Sequence, residues 1–388
     1  MSGAPKKSLL SAAALCLALA GPARAEPGVT AEAITMGMEG EMKSFSGDEE
    51  NFGFQLAFRE ANGQGGVHGR RIEWRSLPRA GGAAIDQALA NAKLLVEQES
   101  VFALVNWGGP VVIKLSDYAA ERKVPYLFPH SALVDSTGKR YLFTSFPTYA
   151  GEARLMFRYL PEQRGLRRIG IVHDENVYGQ NFRKWFEEYA GRNGYTVAGN
   201  AAVATRDPKD LTAELKGLQD KGADAVVMAL YPAQAKVLMQ AKATLGFSGR
   251  MVSVGPLTDE EYLVLPGGAA EGTLGFCYYP DPNSDRSPGI LAYQAVMRRL
   301  AGDKPMNRYS LYGYVFGRLI LEGLRRAGPG VTRESFIDAM ETIRDWDPQG
   351  VMPPVSFSAT NHHAQFAGFL CELKSGRFEA LGSWVTPQ

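Results

Sequence analysis

Cysteine, net charge and catalytic signatures are all scarce in this sequence, and each shortage excludes something. Three cysteines in 388 residues rule out a disulfide-dense scaffold, and none has the close spacing of a metal site. A formal net charge of +1 leaves no basic field to hold nucleic acid or anionic lipid, so no nucleic-acid partner is expected. There is no H-E-x-x-H, no G-x-S-x-G and no P-loop. Gly63 to Gly69 misses G-x-G-x-x-G because His68 takes the third glycine's place, and the stretch follows a helix rather than a strand. His362-His363 reads as a solvated pair in a late loop, and Asp48-Glu49-Glu50 as acids favoured by a helix N-terminus. No nucleophile has a base and an orienting group at recognisable spacing. Neither a cofactor nor a bound metal is expected, and an enzyme is motivated only by His130 in a cleft.

What the chain does have begins with an export leader. Lys6 and Lys7 precede an apolar run from Leu9 to Ala20, and Ala23-Arg24-Ala25 forms a small-residue cleavage site before Glu26. That run is shorter than the ~20 residues a membrane span needs. Residues 1–25 are therefore expected to be a signal peptide, and the mature protein to be periplasmic. Loss of Lys6, Lys7 and Arg24, with no acid among those residues, takes the charge from +1 to −2. About 360 residues exceed what one core usually fills, so two domains are expected. Cys277 and Cys371 remain as an even pair in an oxidising compartment, and spacing leaves a disulfide and two buried thiols equally open.

From residue 33 the sequence alternates β-branched runs with helical patterns. Strands are expected at Ile34–Met38, Arg71–Ser76, Val101–Val105 and Tyr126–Phe128, with helices at 50–62, 84–98 and 110–122. After Pro147 the rhythm restarts with strands at Arg168–Val172, Thr196–Ala201, Ala223–Ala229, Met251–Val254 and Thr273–Phe276. Two such runs imply two doubly wound α/β domains with parallel sheets. Residues 289–301, 308–327 and 332–344 read as helices without strands, so they should pack back on an existing domain. Gln365–Leu373 alternates again and ends in the hairpin signal Lys374-Ser375-Gly376-Arg377.

Ligands of open parallel sheets sit beyond the strands' carboxyl ends. The loops there carry Phe45, Ser46, Trp107, Gly108, Gly109, His130, Ser131, Tyr178 and Tyr231. Gly108-Gly109 exposes backbone N–H groups suited to a carboxylate or carbonyl oxygen, and Trp107 and Tyr231 can wall an apolar or cationic group.

Glu60-Ala61-Asn62-Gly63-Gln64-Gly65-Gly66-Val67-His68-Gly69-Arg70 resembles the E-x-N-x-x-G-G-x-x-G-R motif of periplasmic solute-binding proteins of ABC importers, in the branched-chain amino-acid (Leu/Ile/Val) type I group. Asp174 with Tyr178-Gly179, Val124-Pro125-Tyr126, Gly222 to Val226 and Ala270-Glu271-Gly272 resemble further family positions in the same order. The resemblance implies a type I periplasmic binding protein: two doubly wound parallel-sheet lobes joined by a three-segment hinge near Phe143–Pro147, Phe276–Asp281 and Val355–Ala359. Lobe 1 would take residues 27–146 plus 278–356, and lobe 2 residues 147–277 plus 357–388. It implies a monomer that binds a small solute between the lobes, does no chemistry and docks on an ABC permease. A sensory module coupled to a signalling receptor is the alternative. At the position of the family's ammonium-binding acid stands Leu257, with Asp259 and Glu260 just downstream. The solute expected is thus an amino acid or a hydrophobic or aromatic carboxylate.

Overall fold

In the computed structural model the described residues, apart from Met1, are 26–81, 84–264, 267–364 and 367–386. The expected signal peptide and Gln365 lie outside them. Two sheets organise the chain. The first contains β1 (Ala33–Gly40), β2 (Arg71–Pro78), β3 (Ala103–Trp107), β4 (Tyr126–Leu127) and β5 (Leu142–Phe143), in the order β2-β1-β3-β4-β5 and parallel throughout. The second contains β6 (Arg168–Asp174), β7 (Thr196–Val203), β8 (Ala225–Ala229), β9 (Arg250–Ser253), β10 (Leu274–Cys277), β11 (Phe369–Lys374) and β12 (Arg377–Ala380). Its order is β12-β11-β10-β9-β8-β6-β7. The late hairpin β11–β12 pairs antiparallel on β10, so this sheet is parallel only over its first five strands. β1, β3 and β8 are buried almost end to end, as strands covered by helices on both faces must be.

The helices are α1 (Phe45–Gly63), α2 (Ile85–Lys93), α3 (Val111–Arg122), α4 (Tyr149–Arg164), α5 (Val177–Arg192), α6 (Thr212–Asp220), α7 (Pro232–Leu245), α8 (Glu260–Val264), α9 (Pro288–Leu300), α10 (Arg308–Ala327) and α11 (Arg333–Glu341). The last three return to the first sheet's side, where α10 packs along α1. That approach needs glycine. A Cβ on Gly53 would lie 2.3 Å from the Ser310 carbonyl, and one on Gly313 2.3 Å from the Glu50 carbonyl. Bare backbones therefore set the helix spacing, and with it the positions of Glu50, Tyr309 and Tyr312. Near the end of α1 the Asn62 side chain exchanges two hydrogen bonds with the Ile72 backbone, at 2.8 and 2.9 Å, and fixes β2 to α1.

The chain passes between the sheets three times: from β5 to α4, from β10 to α9, and from α11 to β11. The first and third passages pair. Thr144 N–H donates to the His362 carbonyl at 3.0 Å, and Ala364 N–H to the Thr144 carbonyl at 2.8 Å. Phe357, in the expected third segment, packs on Phe143 of the first, with centroids 5.2 Å apart. His362 and His363 are buried here rather than solvated. His362 stacks on Phe143 at 4.0 Å and bonds Glu341 at 3.0 Å, while His363 Nδ1 is 2.9 Å from Thr144 Oγ1. Among the described residues no group of acids, histidines and cysteines could hold a metal ion, and no helix is long and apolar enough to cross a membrane. Cys277 and Cys371 are joined as a disulfide between β10 and β11, which resolves the choice that spacing left open.

Candidate functional site

A cavity of about 370 Å³ lies between the two sheets, at the ends where the strand-to-helix loops gather. That is the size and place of a small-molecule site in an α/β fold. From the first sheet, β3 delivers Trp107 and Gly108. Gly108 has φ +126°, and a Cβ there would lie 2.6 Å from Arg79 Nη2. The Arg79 guanidinium is buried beneath this turn; it donates to the Trp107 carbonyl at 2.7 Å and to Glu39 at 3.0 Å. A buried ion pair thus pins the loop from below. His130 N–H donates to the Asn106 carbonyl at 2.9 Å, while its ring nitrogen Nδ1 meets the carboxylate of Glu50.

The second sheet supplies tyrosines. Asn176 caps α5 by accepting from Tyr178 N–H at 2.9 Å and Gly179 N–H at 3.2 Å, and its amide donates to the Tyr231 hydroxyl at 3.2 Å. Tyr178 lies edge-on to Tyr231 and tilted against Tyr149, at 5.3 Å in each case, and the Arg206 guanidinium covers Tyr231 at 3.3 Å. The passages between the sheets close the site with Phe146, Tyr278 and Tyr279; Phe146 stacks flat on Tyr312 of α10 at 5.0 Å. Behind Tyr278 sits Glu152, fully buried, accepting from Gly255 N–H at 2.7 Å and from the Tyr278 hydroxyl. Burial pushes its carboxyl up to about 7, against the pull of those two donors.

Two contacts cross from α10 to the segment after β9. The Tyr309 hydroxyl donates to Asp259, and Arg308 donates to Glu260 from its backbone N–H at 3.1 Å and from Nη1 at 3.2 Å. Asp259 is buried, and burial drives its carboxyl up to about 8, helped by the charges of Glu260 and Glu261. Glu41, Asp259 and Glu261 line this end of the cavity, so carboxylates are present there although Leu257 is apolar.

Of the residues expected from sequence, Ser46, Trp107, Gly108, Gly109, His130, Ser131, Tyr178 and Tyr231 all line the cavity. Two do not. Leu257 is fully buried in the apolar cluster that holds Tyr262 and Cys277, because it ends the tight turn Gly255–Leu257, which points it into the second sheet's core. Phe45 is 43% exposed, with its edge to Tyr309; α1 starts there, capped by Ser44, and neighbouring helical residues point about 100° apart. Sequence reasoning missed Glu50, Phe146, Tyr149, Glu152, Arg206, Tyr309 and Tyr312. The i, i+3 pair Tyr309 and Tyr312 behind the capping Asn307 was the available signal for α10.

Residues 33–377 match the model of one family, described as periplasmic binding protein. The chain belongs to the periplasmic binding protein family. Its place is accordingly extracytoplasmic. It is 24% identical over 284 residues to Leu/Ile/Val-binding protein homolog 3 of Brucella melitensis, covering 73% of this chain and 75% of that one. The fold matches a branched-chain amino acid ABC transporter protein of Thermus thermophilus with bound valine, at 18% identity and TM-score 0.80, over 92% of this chain and 97% of that one. It matches a fatty acid ABC transporter substrate-binding protein of Thermomonospora curvata at 20% identity and TM-score 0.81, over 93% and 94% of the two chains. These relatives are binding proteins, not enzymes.

Proposed function

We propose that this periplasmic binding protein is the solute receptor of an ABC importer. It binds a small, partly apolar solute, an amino acid or a hydrophobic or aromatic carboxylate, in the cavity between its sheets and delivers it, as a monomer, to a membrane permease. The observation that carries this reading is an aromatic-walled cavity whose lining comes from both sheets and from the passages joining them. A solute touching both halves has more contacts when they are together, so it shifts the population toward closure. The proposed contacts are Trp107 and Tyr231 for the apolar body, and Gly108, Gly109 and Ser131 for an oxygen acceptor, with Ser46, His130 and Tyr178 beside them. The valine and fatty-acid relatives give precedents for both solute types within the fold. A thermal-shift screen against amino acids, aromatic acids, fatty acids and amides tests it. Stabilisation by a member of one class is expected, and stabilisation by none would refute the solute assignment.

A further inference from the structure

A second cavity, of about 300 Å³, adjoins the solute cavity at Arg308, and among the described residues Arg308 is the only one that lines both. One wall of it is Arg308 of α10 with Asp281 and Asn283 of the second passage. The other is Glu260 of α8 with Gly376 and Arg377 of the β11–β12 turn. This groove therefore also runs between the first sheet's helices and the second sheet, but it holds none of the aromatic rings that wall the solute cavity.

Most polar groups of the groove already have partners. Asp281 accepts from Asn283 N–H at 2.9 Å and from Ser284 Oγ at 2.8 Å, and Glu260 accepts from Arg308 N–H at 3.1 Å and Nη1 at 3.2 Å. The Asn283 amide donates to the Met306 carbonyl at 3.1 Å, and Gly376 N–H to Glu271 at 2.9 Å. What remains is cationic. The Arg308 side chain is only 7% exposed; its Nε donates to the Tyr279 carbonyl at 3.2 Å, while Nη2 is buried without a hydrogen-bond partner among the described residues. Nη1 reaches Glu260, which lines the groove and not the solute cavity, so the guanidinium head lies on the groove side. Across from it Arg377 is exposed and makes no ion pair among the described residues.

A buried guanidinium N–H without an acceptor is costly, and the forked donors of arginine match the oxygens of a carboxylate, sulfate or phosphate. The fixed charges of the groove cancel, Arg308 and Arg377 against Glu260 and Asp281, so its selectivity comes from these unused donors rather than from a net field. We infer that the groove is a second binding site, for a small oxyanion held between Arg308 on α10 and Arg377 on the β11–β12 turn. Its occupant touches both sides of the molecule outside the solute cavity, so it favours the closed arrangement without competing for the solute's place.

NMR of the arginine Nε–H groups tests it, with Arg308 and Arg377 assigned through Arg308→Lys and Arg377→Lys. The protein, solute-free and saturated with the best ligand of the thermal-shift screen, is titrated with sodium phosphate, sulfate and acetate against sodium chloride at equal ionic strength. The Arg308 and Arg377 signals should shift together and saturate at one concentration, at lower concentration in the solute-saturated protein, while Arg206 in the solute cavity stays still. A stronger response to phosphate and sulfate assigns a tetrahedral anion, and a stronger response to acetate a carboxylate. Arg377→Gln, a change on an exposed turn, should raise the saturating concentration by about tenfold. Anions that move neither arginine in either form, that move Arg206 instead, or that ignore Arg377→Gln overturn the inference. Should the screen yield no ligand, the receptor's solute class fails by itself, and the solute-free titration decides the anion site alone.

Discussion

Glu152→Gln isolates one buried carboxyl and tests the electrostatics of the cavity's back wall. Glu152 is fully buried and its carboxyl stands at about 7 against an ordinary 4.5. The folded state therefore keeps a proton that the unfolded chain has already lost between those values. The stability this group contributes is complete below pH 4.5 and disappears as the pH rises through about 7. At 1.36 kcal/mol per pH unit the loss is about 3 kcal/mol. Glutamine keeps an oxygen for Gly255 N–H and a donor for the Tyr278 oxygen but does not titrate. Urea unfolding followed by tryptophan fluorescence at pH 5, 7 and 9 measures the difference. At pH 5 the two proteins should agree within about 1 kcal/mol; by pH 9 the variant should be more stable by about 3 kcal/mol. A difference that stays constant across this range would refute the reasoning.

Three further outcomes follow from the same geometry. Leu257→Ala should cost about 2–5 kcal/mol of stability, as a truncated core leucine does, and leave solute affinity within about twofold, checked by unfolding and calorimetry. Replacing Cys277 and Cys371 together by alanine opens a loop with a sequence separation of 94 and should lower stability by about 2–5 kcal/mol in the same unfolding assay. Tyr309→Phe removes the donor that Asp259 receives from α10, and stopped-flow dissociation should quicken by the equivalent of about 1–3 kcal/mol with little change in association rate.

Much of the site was legible because strand order is a local signal and the cavity's position is a topological consequence of it. Trp107 ends a strand and His130, Tyr178 and Tyr231 each follow one that short apolar runs announce, so their convergence at one end needs no knowledge of partners. The misplaced residues lie where a side chain's direction depends on a turn's phase. Phe45 and Ser46 are neighbours on α1 and only Ser46 faces the cavity; Leu257 and Asp259 flank Thr258, and only Asp259 does. The missed residues owe their roles to distant partners. Glu50 reads as a helix-start acid until α1 and the loop after β4 bring it to His130, 80 residues on. Helix α4, absent from the sequence reading, carries Glu152 to Gly255 and Tyr278, more than a hundred residues away. The His362-His363 pair looked solvated because nothing in its own segment shows that Phe143 and Thr144 cover it.

The central claim is that a solute sits in the cavity between the sheets, held by Trp107 from one and Tyr231 from the other. Calorimetric titration of the wild type, Trp107→Ala and Tyr231→Ala with the best ligand from the thermal-shift screen addresses it directly. Saturable binding at one site, weakened by about 1–3 kcal/mol in each variant, is the predicted result. Wild-type affinity in both variants would place the solute elsewhere and contradict the account.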